Sequence, residues 1–467
     1  MARTTQKGAN TVDVDDRDDY DEGRNIILSL ISQLRPGSDL SRITLPTFIL
    51  ERKSMLERIT NTFQHPKMMA QAEANPDPVQ RFVDVLRWYM SGWHIAPKAV
   101  KKPLNPVLGE YFTCFWELDN DTKAYYLAEQ TSHHAPKSSF YFVYPEHNIR
   151  AEGIVIPISK FLGNSAASMM EGVARVILGN HVGPSGEPEE YEITQPNVYA
   201  RNVIVGTLKL EMGDKAYVKC PQLDMECIID FKVKGYISGT YHEIKGTVTR
   251  AGKPLYEISG KWTEALYIKD LKTGKKSLFF DALDDVASTP QTRSLEEQGQ
   301  MESRRLWHDV CVALGERNQK VATDEKFEIE DYQRRLQKRR NDGLEPPFQP
   351  KLFRPVDDQY QFRIFADAEL RAAKTQADVE RVLARVAPIL PGQQFPQNFE
   401  QPAADKVGSA GSALENGSAG SAQDSLSAQN TLSTQDTLGA SHSASSTQSK
   451  FYRYEGDEFL DAPEPGH

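Results

Sequence analysis

Residues 129–140 read EQTSHHAPKSSF. Two adjacent histidines, His133 and His134, stand between a carboxylate, Glu129, and a lysine, Lys137. Ala124, Tyr125, Tyr126 and Leu127 lie upstream, and Phe140, Tyr141, Phe142 and Tyr144 downstream. Bulky apolar and aromatic runs of this kind predict strands on both sides. The histidines then fall where strands meet a loop, which puts titratable groups at the mouth of a β structure. A His-His pair on its own is more often a surface pair, or two hydrogen-bonded core side chains, than a binding site.

The region from 225 to 269 settles the kind of β structure. Ile229, Phe231 and Val233 alternate with Asp230, Lys232 and Lys234; Tyr256, Ile258 and Trp262 alternate with Glu257, Ser259 and Lys261. A period of two gives each strand one apolar side and one wet side. Turns are predicted at Gly213-Asp214, Gly239 and Gly252. Residues 149–211 continue this strand-rich body, with a small-residue interruption at 159–170 (SKFLGNSAASMM), where Ser159 and Ser165 offer hydroxyls. So many consecutive strands predict an α+β fold: a large, mostly antiparallel β-barrel, which removes exposed edges and can enclose a ligand cavity.

Helical spacing appears elsewhere. In 77–93, Phe82, Leu86, Tyr89, Met90 and Trp93 form a stripe best explained as packing. Residues 302–314 and 325–340 read as helices, and 367–386 as a helix without an assigned role. In the second, Lys326, Glu330 and Arg334 are four apart and share a face. Residues 25–34 (NIILSLISQL) are strongly apolar on one face and are stopped by Pro36-Gly37. Before them, 1–24 carry an acidic block (Asp13 to Glu22, opposed by Arg17) and read as a disordered tail that would repel anionic bilayers.

Composition excludes several classes. The chain has 467 residues, 39% of them hydrophobic, enough for a substantial core. A formal net charge of −10 argues against nucleic acid as the main partner. Cys114, Cys220, Cys227 and Cys311 form no CxxC pair, so no metal site or disulfide framework is predicted, a pattern that fits the cytosol. No apolar run is long enough to span a bilayer, and the polar start predicts no signal peptide. No cofactor is indicated. Glu129, Ser132 and His133 contain the residue types of a hydrolase, but no GxSxG elbow surrounds Ser132.

Residues 101–112 (KKPLNPVLGEYF) add the second informative stretch. Pro103 and Pro106 hold the chain extended, displaying Lys102 and Asn105. Lysine supplies a point charge for phosphate and asparagine an oriented amide.

EQTSHHAP closely resembles EQVSHHPP, the signature of the oxysterol-binding-protein-related lipid-transfer family, with Ala135 in place of the first proline. KKPLNPVLGE resembles the family's KKPxNPxLGE. The resemblance runs from about residue 39 to 354. It implies a lipid tunnel within the barrel, closed by a lid at 25–37, in a domain spanning 25–390. It implies that Lys102, Asn105, His133, His134, Lys326, Glu330 and Arg334 hold the inositol head group of phosphatidylinositol 4-phosphate. The segments TLPTFILE, KKPLNP, EQTSHH and FLGNSAAS look like the branch that exchanges this lipid for phosphatidylserine, with sterol as the alternative second lipid. In that reading Leu45 and Ile49 line the acyl passage, while Asn105 and Ser159 meet the serine head group.

Residues 391–450 are rich in Gly, Ala, Ser, Gln and Thr and read as a flexible linker. Residues 451–467 then turn aromatic and acidic. Within them EFLDAPE (Glu458, Phe459, Leu460, Asp461, Ala462, Pro463, Glu464) resembles EFFDAxE peptides that dock on VAMP-associated proteins of the endoplasmic reticulum. The implied setting is cytoplasmic, at membrane contact sites of that organelle.

Overall fold

Pro78 can open a helix because its missing N–H would be unpaired there anyway. Asp77 caps that helix, Pro78–Ser91, accepting from the amides of Val79 and Gln80. Phe82, Leu86, Tyr89 and Met90 are buried as the stripe predicts, and Arg81 grips Glu189 with two bonds of 2.7 and 2.8 Å. The helix packs against the sheet through Phe63, whose ring stacks on Phe142 at 4.6 Å and meets Phe140, Tyr126 and Trp88 within 6.1 Å. The computed structural model describes residues 36–38, 47–95, 101–133, 135–183, 186–205, 208–235, 239–356, 361–395, 452–455 and 458–461.

A short parallel pair comes first, β1 (Leu50–Ser54) with β2 (Lys102–Leu104). The main sheet then uses β3 (Tyr111–Glu117), β4 (Lys123–His133), β5 (Pro136–Tyr144), β6 (Ile149–Phe161), β7 (Ser165–Glu171), β8 (Ala174–Val182), β9 (Pro188–Ile193) and β10 (Asn197–Arg201). It continues through β11 (Lys209–Cys220), β12 (Met225–Lys232), β13 (Glu243–Arg250), β14 (Lys253–Lys261), β15 (Ala265–Asp270) and β16 (Lys276–Asp281). These fourteen strands form one sheet, ordered β16 down to β10 (without β9 and β8), then β7 to β3; β8 and β9 branch off between β6 and β11. Every pairing in it is antiparallel. The outer edge of β3 is met by bridges from Gln291 and Glu302.

The alternation holds: Met225, Cys227, Ile229 and Phe231 of β12 are buried and their neighbours are not. Several expectations need correction. Gly213-Asp214 is not a turn but lies inside β11, where Asp214 takes φ +68° and a Cβ on Gly213 would strike Val233 at 2.5 Å. Residues 159–170 do not interrupt the sheet; they are the β6–β7 hairpin. Two expected helices are broken: that over 302–314 at Trp307 into Ser303–Leu306 and His308–Gly315, and that over 367–386 into Asp367–Ala372 and Gln376–Val386. The charged helix is longer than its charge pattern suggests, Gln319–Asn341.

Contacts divide the chain into 1–397 and 398–467. The acidic tail of 1–24, the helix of 25–34 and the linker beyond 395 lie outside the described residues. In the second unit, Tyr452–Glu455 and Glu458–Asp461 pair as an antiparallel hairpin, with Tyr454 opposite Phe459 and Arg453 opposite Leu460.

Phe63→Ala removes a fully buried ring from the joint between helix and sheet. It should lower the unfolding free energy by about 3–5 kcal/mol, measured by urea denaturation.

Candidate functional site

A buried carboxylate assembles the first part of the site. Glu110, at the end of KKPLNPVLGE, has no exposed surface. Its Oε1 accepts from the hydroxyls of Ser54 and Ser303, and its Oε2 from the Val107 amide and the Trp307 indole at 3.0 and 2.9 Å. Burial pushes its carboxyl pKa up, and these four donors act against that shift. The donors come from β1, the proline-rich turn and the helices after 302. Around them Leu50, Leu104, Val107, Trp307 and Val310 form a small core against which Ile329 of the 319–341 helix packs.

Three of the sequence segments therefore meet here. β2 lies beside β1 with Lys102 opposite Leu50. Lys102 is half-buried and Asn105 exposed. The segment Thr47–Ile49, a turn of 3-10 helix, leans on the start of the long helix, where the Thr47 hydroxyl meets Gln319 Oε1 at 2.8 Å and the Thr323 hydroxyl at 3.2 Å. Ile49 is half-buried; Leu45 lies outside the described residues. Lys326 is 8% exposed, and its Nζ donates to Glu330 Oε1 at 2.5 Å. A buried ammonium needs such a partner. Arg334 donates to Asp331 at 3.2 Å and covers the Phe327 ring at 5.1 Å.

The histidine hairpin forms the second part. β4 and β5 pair in register up to Gln130–Ser138, then shift, so that Ser132 faces Lys137 and His133 faces Pro136. Such a bulge re-aims the side chains beyond it. The hairpin is knit by Ser138 Oγ to Gln130 Oε1 (2.7 Å) and by Thr131 with Ser139 (2.8 Å). Gln130 exchanges backbone bonds with Gly109 and Glu110, joining this hairpin to the proline-rich turn. His133 is exposed at the strand end, and His134 lies outside the described residues. Glu129 binds the chain that follows the long helix. Its two oxygens accept the backbone amides of Lys351 and Leu352 at 2.7 and 2.8 Å. Those bonds commit the carboxylate that a Ser–His–Glu hydrolase would need.

The third part lies on β6. Val155 belongs to the main core, and alternation carries Pro157, Ser159 and Phe161 to that same side. Ser159 pairs with Ser168, Ser168 with Val198, and Val198 with Met212, a ladder across four strands. Strands β3 to β5 are buried almost throughout, whereas Ser159, Ser168, Val198, Ala200 and Leu210 are only half-covered. Gly37 donates its amide to Phe161 O at 2.6 Å and Phe161 returns a bond to Ser38 O at 2.9 Å. The chain leaving the 25–34 segment is thus pinned beside Ser159. A narrow apolar recess lined by Phe63, Tyr89, Trp93, Phe140, Ile154 and Ile193 opens between the 78–91 helix and the sheet.

Two cations were missed by reading motifs. Lys137, noted in the sequence only as a flank of the histidine pair, is 6% exposed, and burial lowers its pKa. Arg340, six residues past Arg334, lies over the Phe348 ring at 5.6 Å, and among the described residues no acceptor meets its buried Nη1. It falls off the four-residue spacing of Lys326, Glu330 and Arg334, and its place over Phe348 is a tertiary contact. In the C-terminal unit Glu458–Asp461 form a strand, while Ala462 and Glu464 lie outside the described residues.

A broad antiparallel sheet with a half-covered apolar stretch, together with lysine and arginine on the elements around Glu110, has the make-up of a lipid-binding protein. The family model described as oxysterol-binding protein matches residues 29–312. The chain is 50% identical over 410 residues to oxysterol-binding protein homolog 6 of Saccharomyces cerevisiae, covering 87% of this chain and 91% of that protein. It is 53% identical over 395 residues to the oxysterol-binding protein-like protein OBPa of Candida albicans, covering 82% and 89%. The chain belongs to the oxysterol-binding protein family. Its fold resembles the Osh1 ORD domain in complex with cholesterol (TM-score 0.61, 22% identity, 74% of this chain and 87% of that one). It also resembles the Osh3 ORD of Saccharomyces cerevisiae in complex with PI(4)P (TM-score 0.57, 22% identity, 74% and 92%).

Glu129 generates a pH signature. Burial raises its pKa from 4.5 to about 7. Between those values the folded state keeps a proton that the unfolded chain has released, so this group's contribution makes stability fall as pH rises. Glu129→Gln should remove that contribution. Relative to the parent protein, the pH slope of unfolding free energy between pH 4.5 and 7 should become more positive, by at most about 1.4 kcal/mol per pH unit.

Proposed function

We propose that this protein carries one lipid at a time between membranes, exchanging phosphatidylserine for phosphatidylinositol 4-phosphate. The observation that supports this most is the meeting of three distant segments on the Glu110 core. Lys102, Ile49 and the Lys326–Glu330–Arg334 helix are carried on elements that pack on one another, and the His133 hairpin is bonded to the same turn. In this reading Lys102, His133, His134, Lys326 and Arg334 take the phosphates of the inositol head group, Glu330 positions Lys326, and Asn105 adds an amide. Charge-assisted bonds to phosphate are the strong kind. Leu45 and Ile49 line the acyl passage, and Asn105 and Ser159 meet the second head group.

The carrier idea has a physical rationale. About 30 methylenes of a diacyl lipid would cost on the order of 25 kcal/mol if left in water, at about 0.8 kcal/mol each. The half-covered strands β6, β7, β10 and β11 supply an apolar wall for them, with the 25–37 segment as its cover; the bonds of Gly37 and Ser38 to Phe161 support this reading at the end of that segment. Sterol is the second reading for the exchanged lipid, favoured by the likeness to a domain solved with cholesterol. The exchange itself needs no chemical step. Residues 458–464 dock the carrier on a VAMP-associated protein at the endoplasmic reticulum, with the linker as tether.

Native mass spectrometry of protein purified from cells should find one bound phospholipid per chain, intact. His133→Ala with His134→Ala should abolish extraction of phosphatidylinositol 4-phosphate from liposomes, with the melting temperature unchanged. Leu45→Asp should impair uptake of phosphatidylserine more than of the phosphoinositide, whose ring is held elsewhere. Equal loss of both lipids would overturn this division of the pocket.

A further inference from the structure

Asn164 sits in the β6–β7 turn and bonds to the loop that follows β10. Its Oδ1 accepts from the amides of Ile204 and Val205, both at 2.9 Å, and its Nδ2 donates to Val205 O at 3.1 Å. The Val203 amide adds a bond to Asn164 O at 3.2 Å. One side chain therefore locks two loops into a single tip. Beneath it Phe161 and Val203 are buried with Ala166, Ala200, Ile204 and Leu208 around them. Above it Leu162 is 45% and Val205 69% exposed. A rigid, built tip that turns two large apolar side chains outward has no evident use in packing.

The strand ends around this tip are basic. Arg201 pairs with Ser165 on one side and with Lys209 on the other, so Arg201 and Lys209 share one rim of the sheet. Lys160, exposed, is next to Phe161 on β6. Lys209 and Lys234 both lie over the Tyr241 ring, at 4.0 and 4.5 Å. The nearby carboxylate, Glu211, is 2% exposed, accepts the Lys234 amide at 2.9 Å and stands 4.0 Å from Arg201. The charge this rim shows to water is thus positive, on a chain of formal net charge −10. Another exposed apolar pair, Leu283 and Val286, brackets two residues of the opposite sign, Asp284 and Asp285.

We propose that the Asn164-locked tip, with Leu162 and Val205 as its apolar point and Lys160, Arg201 and Lys209 as its basic collar, is the element that docks the protein on an anionic bilayer surface. Apolar side chains buried at the acyl boundary together with nearby cations are what interfacial binding requires. The tip continues the strands that carry Ser159, three residues before Leu162, so docking there brings the proposed lipid mouth to the membrane. This inference rests on the carrier reading and adds to it the surface through which the carrier meets the bilayer.

The test separates docking from cargo by using vesicles of phosphatidylcholine and phosphatidylglycerol, neither of them a proposed cargo. The full chain should co-sediment with these vesicles, and added salt should weaken the binding. Leu162→Asp with Val205→Asp, and separately Lys160→Ala with Lys209→Ala, should each weaken it roughly tenfold or more, while melting temperature and co-purified lipid stay unchanged. A Val205→Trp variant should show a blue-shifted indole emission on vesicle addition. Full binding by either double variant, an unshifted emission from the Val205→Trp variant in sedimenting protein, or no binding by the parent chain each overturns the docking proposal. Absence of any co-purified lipid in the parent chain overturns the carrier reading, whatever the vesicles show.

Discussion

The carboxylate of Glu110 is the constraint on which the candidate site depends. An ionised carboxylate offers about four acceptor positions, and four donors fill them, two on each oxygen. The donors are separated by up to 253 residues in sequence, from Ser54 to Trp307. A group this deeply buried is tolerable only with its hydrogen bonds made. Any departure of β1, the proline-rich turn or the 303–307 segment leaves it short of partners. Closing the carboxylate's shell therefore also sets where Lys102 stands relative to the helix that carries Lys326.

Glu129 repeats the device on the other side of the same turn. It captures two backbone amides of the chain returning from the long helix, and the Gln130 backbone ties its strand to Gly109 and Glu110. Glycine is required at 109, where φ is +81° and a Cβ would lie 3.0 Å from Phe348. The site is thus framed by two buried acids that bind protein, while in the proposed reading the cations bind ligand.

This division explains what could be read from the sequence. The antiparallel sheet was legible because period-two alternation is a local signal, and Ile229, Phe231 and Ile258 are buried as it predicts. Helix 78–91 was legible from its stripe. The roles of Glu110 and Glu129 were not, because a carboxylate's partners about 200 residues away leave no local trace; Glu129 in particular reads as a companion of the histidines and is a staple for the 351–352 chain. Gly213-Asp214 has turn composition yet serves as a distortion within a strand: both residues pair with neighbouring strands, and Val233 and Tyr199 leave no room for a Cβ at 213. Trp307 breaks its helix while its indole reaches Glu110, again a tertiary demand overriding a local pattern. The site residues Lys102, Lys326 and Arg334 were named through resemblance; spacing alone gives an ordinary solvated ladder of ion pairs.

The uneven covering of the sheet bears on how a carrier could work. Where β3 to β5 meet the 78–91 helix, the rings around Phe63 interlock beside the narrow recess described above, and little of that cluster can move without loss of stability. Where β6, β7, β10 and β11 run past Ser159, the side chains are small or half-covered, and the chain emerging from 25–34 is held by two backbone bonds at Phe161. Stability is concentrated in one half and room for change in the other. In the proposed reading this separation matters: a carrier that opens, exchanges a lipid and closes again would not spend the energy that defines the fold each time its cover lifts.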